Sequence, residues 1–183
     1  MIDRVSFSGE DQELEAIAET YNLLHDSLIS YRNSIFDNIK NMEMNVPEKF
    51  IGYSTTELEE YFTNEIRELG ITMCLNLIAS IEAKFRKDYL KRAYDRNKDE
   101  NSAFLRKIYG EKNKYASLEE DILEAWKMLQ PSSKALISEY KGVLGFRHWL
   151  AHGRYWIAKL GRKYDFFSVY EICYDIKVQI PFI

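Results

Sequence analysis

Residues 14–42, LEAIAETYNLLHDSLISYRNSIFDNIKNM, place Leu14, Ile17, Tyr21, Leu24, Leu28, Tyr31, Ile35 and Met42 at steps of three and four, with a double step at the end. This is the repeat of one face of an α-helix, sustained for roughly eight turns, and it sets a long first helix. Upstream, Ser8 with Asp11 three residues on has the form of a capping box. Downstream, Pro47 and Gly52 break the pattern, and Ser54 with Glu57 opens a second long helical stretch that runs to about Asp95, with Gly70 as a place for a bend. Three prolines and eight glycines in 183 residues leave long stretches without either. The turn-dense punctuation of an all-β chain is missing.

The remaining signals extend the helical reading. Asp95 to Ser102 is polar and reads as a loop, followed by a short helix from Ser102 to about Tyr109. Ser117-Leu118-Glu119-Glu120 is a further capping box for a helix that ends before Pro131. Ser132 or Ser133 caps the last long helix, which is expected to end near Gly161. Asp165 caps a terminal helix with Val169, Ile172, Cys173, Ile176 and Ile180 on one face, although the alternation of Ile176, Val178 and Ile180 also suits a strand. No internal repeat or second domain is read from residues 1–183. The expectation is an all-α, up-and-down bundle of four to five helices with a long N-terminal helix and a short C-terminal helix or strand.

Apolar content of 46% and aromatic content of 14% supply a substantial core and exclude disorder. Asp3 lies beside Arg4 at the start without an apolar stretch of signal length, and the most apolar segment, Ile71 to Ala83, is interrupted by Asn76 and Glu82. A cytoplasmic protein with no membrane span is expected. Cys74 and Cys173 both fall among apolar residues and read as buried free thiols. The net charge of −4 argues against indiscriminate nucleic-acid binding. It conceals two basic regions, however. Lys84, Arg86, Lys87, Lys91, Arg92, Arg96 and Lys98 stand against only Asp88 and Asp95, and Lys141, Arg147, Arg154, Lys159, Arg162 and Lys163 have no acid among them. The second region also carries aromatics and histidines, as a nucleic-acid footprint does.

Within that region, Phe146-Arg147-His148-Trp149-Leu150-Ala151-His152-Gly153 is followed by Arg154, Tyr155 and Trp156. Projected at about 100° per residue from Arg147, Phe146, Trp149, Leu150, Gly153, Trp156, Ile157 and Leu160 fall in an arc from roughly 180° to 320°, the expected core face. The opposite arc holds Arg154, Arg147, Ala151, Tyr155, His148 and His152, with His152 at its edge beside the tryptophans in a partly dry setting. An exposed polar face without chemistry gives the same pattern. On the second helix Glu82 lies in the middle of the stripe Ile71, Leu75, Ile78, Phe85 and Tyr89. A carboxylate aimed at a core is costly unless paired. Arg86, four residues on, is one partner, and Arg147 or His152 on a neighbouring helix is another; the two pairings can coexist.

These residues resemble a known family. A helical domain whose last long helix reads Arg-x4-His, here Arg147 to His152 within an Ala-His-Gly context, with Glu82-Ala83-Lys84-Phe85-Arg86 upstream, is similar to the HEPN superfamily of helical-bundle ribonucleases. The resemblance spans about Leu14 to Leu160. It implies a homodimer with two motif helices facing across the interface and metal-independent cleavage of RNA, with Arg147 and His152 catalytic. Many relatives are toxins in toxin–antitoxin, abortive-infection or antiviral systems, which implies a cognate antitoxin or defence-system partner. Others have lost activity and act as interaction modules. One departure is that some active relatives carry a tyrosine two residues after the histidine, where this chain has Arg154, with Tyr155 one position further.

The chemistry expected of such a site is attack of an RNA 2′-hydroxyl on the adjacent phosphorus, giving cyclic phosphate and 5′-hydroxyl ends. His152 moves the proton and Arg147 holds the phosphate. Glu82, Arg86 and His148 support them, Arg154 and Tyr155 contact RNA, and neither cofactor nor metal is required. Two alternatives stand beside it. One is a non-catalytic helical homodimer that binds RNA, nucleotide or a protein partner. The other is a metal site at His148 and His152, which lacks an obvious third ligand.

Overall fold

The computed structural model describes residues 4–41 and 45–183; Asp3 and Met42 lie outside them. Among the described residues the chain is all-helical, with six α-helices and no strand. They are α1 (Leu14–Lys40), α2 (Thr55–Asp95), α3 (Glu100–Lys112), α4 (Leu123–Leu129), α5 (Lys134–Ala151) and α6 (Phe166–Gln179). No helix among the described residues is long and apolar enough to cross a membrane. Two compact units divide the chain, one of residues 15–73 and one of residues 1–14 with 74–183.

The unit of residues 15–73 holds most of α1, the first part of α2 and the turn between them. Pro47 sets the entry to a short 3-10 turn at Glu48–Phe50, where its fixed φ suits a tight start. Phe50 is buried with Ile35, Leu58 and Phe62. Its ring lies 5.2 Å from Tyr61 and 5.7 Å from Phe62 by centroids. Ser54 and Glu57 form the expected reciprocal cap, the Ser54 N–H donating to the Glu57 carboxylate (2.8 Å) and the Glu57 N–H to Ser54 Oγ (3.3 Å). α2 then runs through Gly70 without interruption.

In the other unit, α5 packs on α4 and α6, and α3 on α4. Ile137, Tyr140, Val143, Leu144, Phe146 and Leu150 form the buried face of α5, and Val169, Ile172, Cys173 and Ile176 that of α6. Both cysteines are free and buried, and burial pushes the Cys74 thiol up to about 12. The terminal segment is helix, not strand: Asp165 caps it through the Ser168 N–H (2.8 Å), and that bond holds the Asp165 carboxyl below its ordinary range.

Several boundaries differ from the sequence reading. Ser8 and Asp11 do not cap α1, which starts at Leu14. Ser8 Oγ instead accepts from the Glu10 N–H (3.2 Å), and Asp11 pairs with Lys87. Residues 11–13 are thereby tied to the α2 surface, with Glu13 between Lys84 (2.9 Å) and Lys177 (3.1 Å). α3 begins earlier than Ser102 because Asp99 provides the cap, accepting from the Ser102 N–H (2.9 Å). Ser117 does cap the next segment, but Leu118–Ile122 is a π-helical turn. Its wider winding moves the reciprocal acceptor from Glu120 to Asp121, which takes the Ser117 N–H at 2.7 Å.

The largest difference concerns the end of α5. It stops at Ala151 rather than near Gly161, in a Schellman motif: the Arg154 N–H donates to Trp149 O and the Gly153 N–H to Leu150 O, both at 3.1 Å. Gly153 at φ +76° takes the left-handed position that glycine adopts at little cost. The chain then returns along α5. Trp149 Nε1 donates to Trp156 O (2.8 Å), Leu160 Cδ2 lies 3.8 Å from where a Cβ on Gly145 would stand, and the Tyr164 ring stacks on Phe146 at 5.2 Å. A Cβ on Gly142 would meet Tyr164 Oη at 2.5 Å, so this glycine makes room for the returning segment. Gly142→Ala is expected to lower the urea midpoint, because displacing the Tyr164 ring costs about 1–3 kcal/mol of packing against the ~1 kcal/mol that alanine gains inside a helix. A raised midpoint would mean that Tyr164 is not seated there.

Candidate functional site

Glu82 of α2 and Arg147 of α5 meet as one of the two expected pairings. Arg86 Nε lies 3.2 Å from Glu82 Oε1, and Arg147 Nε lies 3.5 Å from Glu82 Oε2. Both pairings therefore coexist, one carboxylate oxygen to each arginine. The Glu82 side chain is 18% exposed and each arginine 45%. Half-exposed ion pairs contribute only about 0–1 kcal/mol each, so the arrangement orients the guanidinium groups more than it stabilises the fold. Each arginine meets Glu82 through Nε, the inner nitrogen, and the donors of its outer Nη groups remain for other acceptors.

Arg86, Glu82 and Arg147 line a cleft of about 730 Å³, together with His148, Leu144 and Gly145. The segment Lys114-Tyr115-Ala116-Ser117-Leu118-Glu119 makes up the rest of the lining. From the sequence the short helix ends near Tyr109 and the next element starts at the Ser117 cap; α3 instead runs to Lys112 and a 3-10 turn follows at Asn113–Tyr115. The one signal in that interval is Tyr115, an aromatic. The turn is fastened to α2 by Tyr89, whose hydroxyl donates to Asn113 O (2.8 Å). Asn113, at φ 55°, also accepts the Lys114 N–H on its own side chain (2.8 Å).

The two histidines of the motif stand apart in setting. His148 is on the last turn of α5 and lines the cleft, while His152 is the residue after the helix, outside the cleft lining. Their rings nevertheless lie 4.3 Å apart, inclined at 58°. The Trp156 ring is near both, at 5.9 Å from His148 and 6.3 Å from His152. His152 is exposed, unlike the partly dry boundary expected for it. The helical projection fails beyond this residue, because the turn at Gly153 ends the helix. Gly153 is exposed rather than core, Ile157 is 93% exposed and Tyr155 is 83% exposed, while Trp156 and Leu160 are half-buried. Arg154 has a positive φ of 58° and belongs to the turn, not to a helix face.

Arg147 and His148 are thus brought together with Glu82 and Arg86. His152 joins them through its contact with His148. Arg154 and Tyr155 lie in the turn and the returning segment beyond it. Among the described residues no group of three or more His, Cys, Asp or Glu side chains is arranged to hold a metal ion. The arrangement offers fixed cations and one or two imidazoles beside an open cleft, which suits binding an anionic group and moving a proton next to it. No family model, curated protein or solved structure matches the chain.

Proposed function

We propose that this protein is a metal-independent endoribonuclease of the HEPN kind, working in the cytoplasm as a homodimer and serving as a toxin or antiviral effector. The observation that carries the reading is the double pairing of Glu82, which holds Arg147 and Arg86 at the rim of one cleft while the His148 and His152 rings meet at the end of the same helix. Arg147 binds a non-bridging oxygen of the scissile phosphate. His152 takes the 2′-hydroxyl proton as that oxygen bonds to phosphorus. The bond from phosphorus to the 5′-oxygen breaks, and a second imidazole, from His148 or from the partner copy, protonates the leaving oxygen. In the dimer each composite site has two arginines and two histidines of the motif. In this reading Arg154 and Tyr155 contact the RNA beyond the scissile phosphate, and an antitoxin or defence-system partner covers the same face.

The second reading is a helical homodimer without chemistry that binds RNA, nucleotide or a protein partner. The exposure of Tyr155 and Ile157 beside the motif favours it. Incubating the protein with RNA in EDTA separates the two. The enzyme should yield 2′,3′-cyclic phosphate and 5′-hydroxyl ends; no cleavage, or cleavage only with added divalent metal, defeats it. Expression in bacteria should arrest growth, and Arg147→Ala should relieve the arrest. Unaffected growth alongside cleavage in vitro would remove the toxin role and leave the enzyme.

A further inference from the structure

Tyr115 is 79% exposed and lines the same cleft as Arg86 and Arg147. A large ring in this position leaves apolar surface in water, yet the backbone beneath it is fastened by Tyr89 and by Asn113. Lys114 Nζ lies 5.6 Å from the Tyr115 ring centroid, so an aromatic face and a cation are presented together. In the same cleft the arginines offer guanidinium groups positioned by Glu82. The lining holds Arg86, Arg147 and Lys114 against Glu82 and Glu119, a surplus of positive charge. An aromatic platform beside spaced cations is the arrangement that takes an unpaired base and its backbone phosphates; a duplex keeps its bases stacked on each other and offers none.

We propose that this cleft is a nucleotide subsite for single-stranded RNA. Tyr115 stacks the base next to the phosphate held by Arg147, and Arg86 binds the phosphate that follows. The subsite rests on the ribonuclease reading and adds to it one position at which a base is held, with Tyr115 a binding residue and not a catalytic one.

The test uses a 2′-O-methyl RNA oligonucleotide, which lacks the attacking hydroxyl and cannot be cleaved, with binding followed by fluorescence anisotropy. Tyr115→Ala should weaken binding about tenfold or more, the scale of one base–aromatic stack, and Tyr115→Phe should retain it. A strand of the same length that is abasic should bind native protein and Tyr115→Ala alike. Arg86→Ala should weaken both strands and lower the salt dependence by about one phosphate contact. Unchanged affinity in Tyr115→Ala, or an equal loss on the abasic strand, overturns the subsite. So does a mononucleotide that binds as tightly as the oligonucleotide, which would assign the cleft to a free nucleotide. Cleavage of RNA combined with Tyr115-independent binding removes the subsite and leaves the enzyme. Tyr115-dependent binding without cleavage supports the subsite and removes the enzyme.

Discussion

Replacing His152 with alanine is expected to slow RNA cleavage in EDTA about 10²- to 10⁴-fold, the range of a lost general acid or base. The same change should leave folding stability within about 0.5 kcal/mol, because the side chain is exposed. The contact with His148 makes the comparison with His148→Ala decisive. If His148 only supports its neighbour, its removal costs less than removal of His152. If His148→Ala is the more damaging, the proton carrier is the histidine that lines the cleft, and the Arg-x4-His spacing is not the functional pair. Arg147→Lys should also be damaging, because a lysine offers a point charge in place of a fork that can hold Glu82 and a phosphate together. Equal traces of cleavage by native protein and His152→Ala would sink the assignment.

Arg92→Met is expected to destabilise the protein by about 3–5 kcal/mol, the cost of leaving a buried charge without its partner. Arg92 and Asp88 are 3% and 1% exposed and pair at 2.9 Å on α2. Arg92 also donates to Asp99 (3.0 Å), Ser102 Oγ (3.1 Å) and Pro181 O (2.5 Å), and Asp88 accepts the Ile183 N–H (3.0 Å). Residues 181–183 are therefore fastened to α2 and α3 through one ionic cluster. Burial pushes the Asp88 carboxyl up from its ordinary value, against the pull of Arg92, and its Oδ2 has no hydrogen-bond partner. Without the arginine the carboxyl rises further. A carboxyl raised in the folded state loses stability as pH climbs from its unfolded value through the folded one. The gap between native protein and Arg92→Met in urea midpoints should thus narrow as pH falls into that range. Adding Asp88→Leu should recover part of the loss; no recovery would mean that the other bonds of Arg92, not the stranded charge, carry the cost.

Much of the helical framework was legible because it depends on periodicity and caps. The Ser54–Glu57 box and the Asp165 cap of α6 are local signals, and both form; of the α1 stripe Leu14, Ile17, Tyr21 and Ile35 are buried, while Leu24 and Tyr31 are exposed. Glu82 was legible for a different reason: an acid within an apolar stripe implies a partner, and the structure supplies both that were considered. What could not be read was the π-helical turn after Ser117, which has no periodic signature. The end of α5 was misread through competition between two signals. Trp149, Trp156 and Leu160 continue a helical spacing past Ala151, but Gly153 is a C-terminal glycine, and a single left-handed residue overrides any apolar stripe beyond it. The stripe itself had another cause. Of its later members Trp156 and Leu160 return along the helix, Trp156 through its carbonyl on Trp149 and Leu160 beside Gly145, while Ile157 stays exposed.

That return path bears on the setting of His152, not on its spacing from Arg147. Here the helix carries both as far as its last bond, from the His152 N–H to His148 O (3.1 Å), and the turn begins one residue later, its outgoing arm moored through Trp156, Leu160 and Tyr164. The backbone spacing of the two is therefore helical, whereas the surroundings of the His152 ring are set by the chain that follows, which brings Trp156 to 6.3 Å from it. Gly142, about three turns before His152, shares in setting them, because Tyr164 Oη occupies the space that a Cβ there would fill.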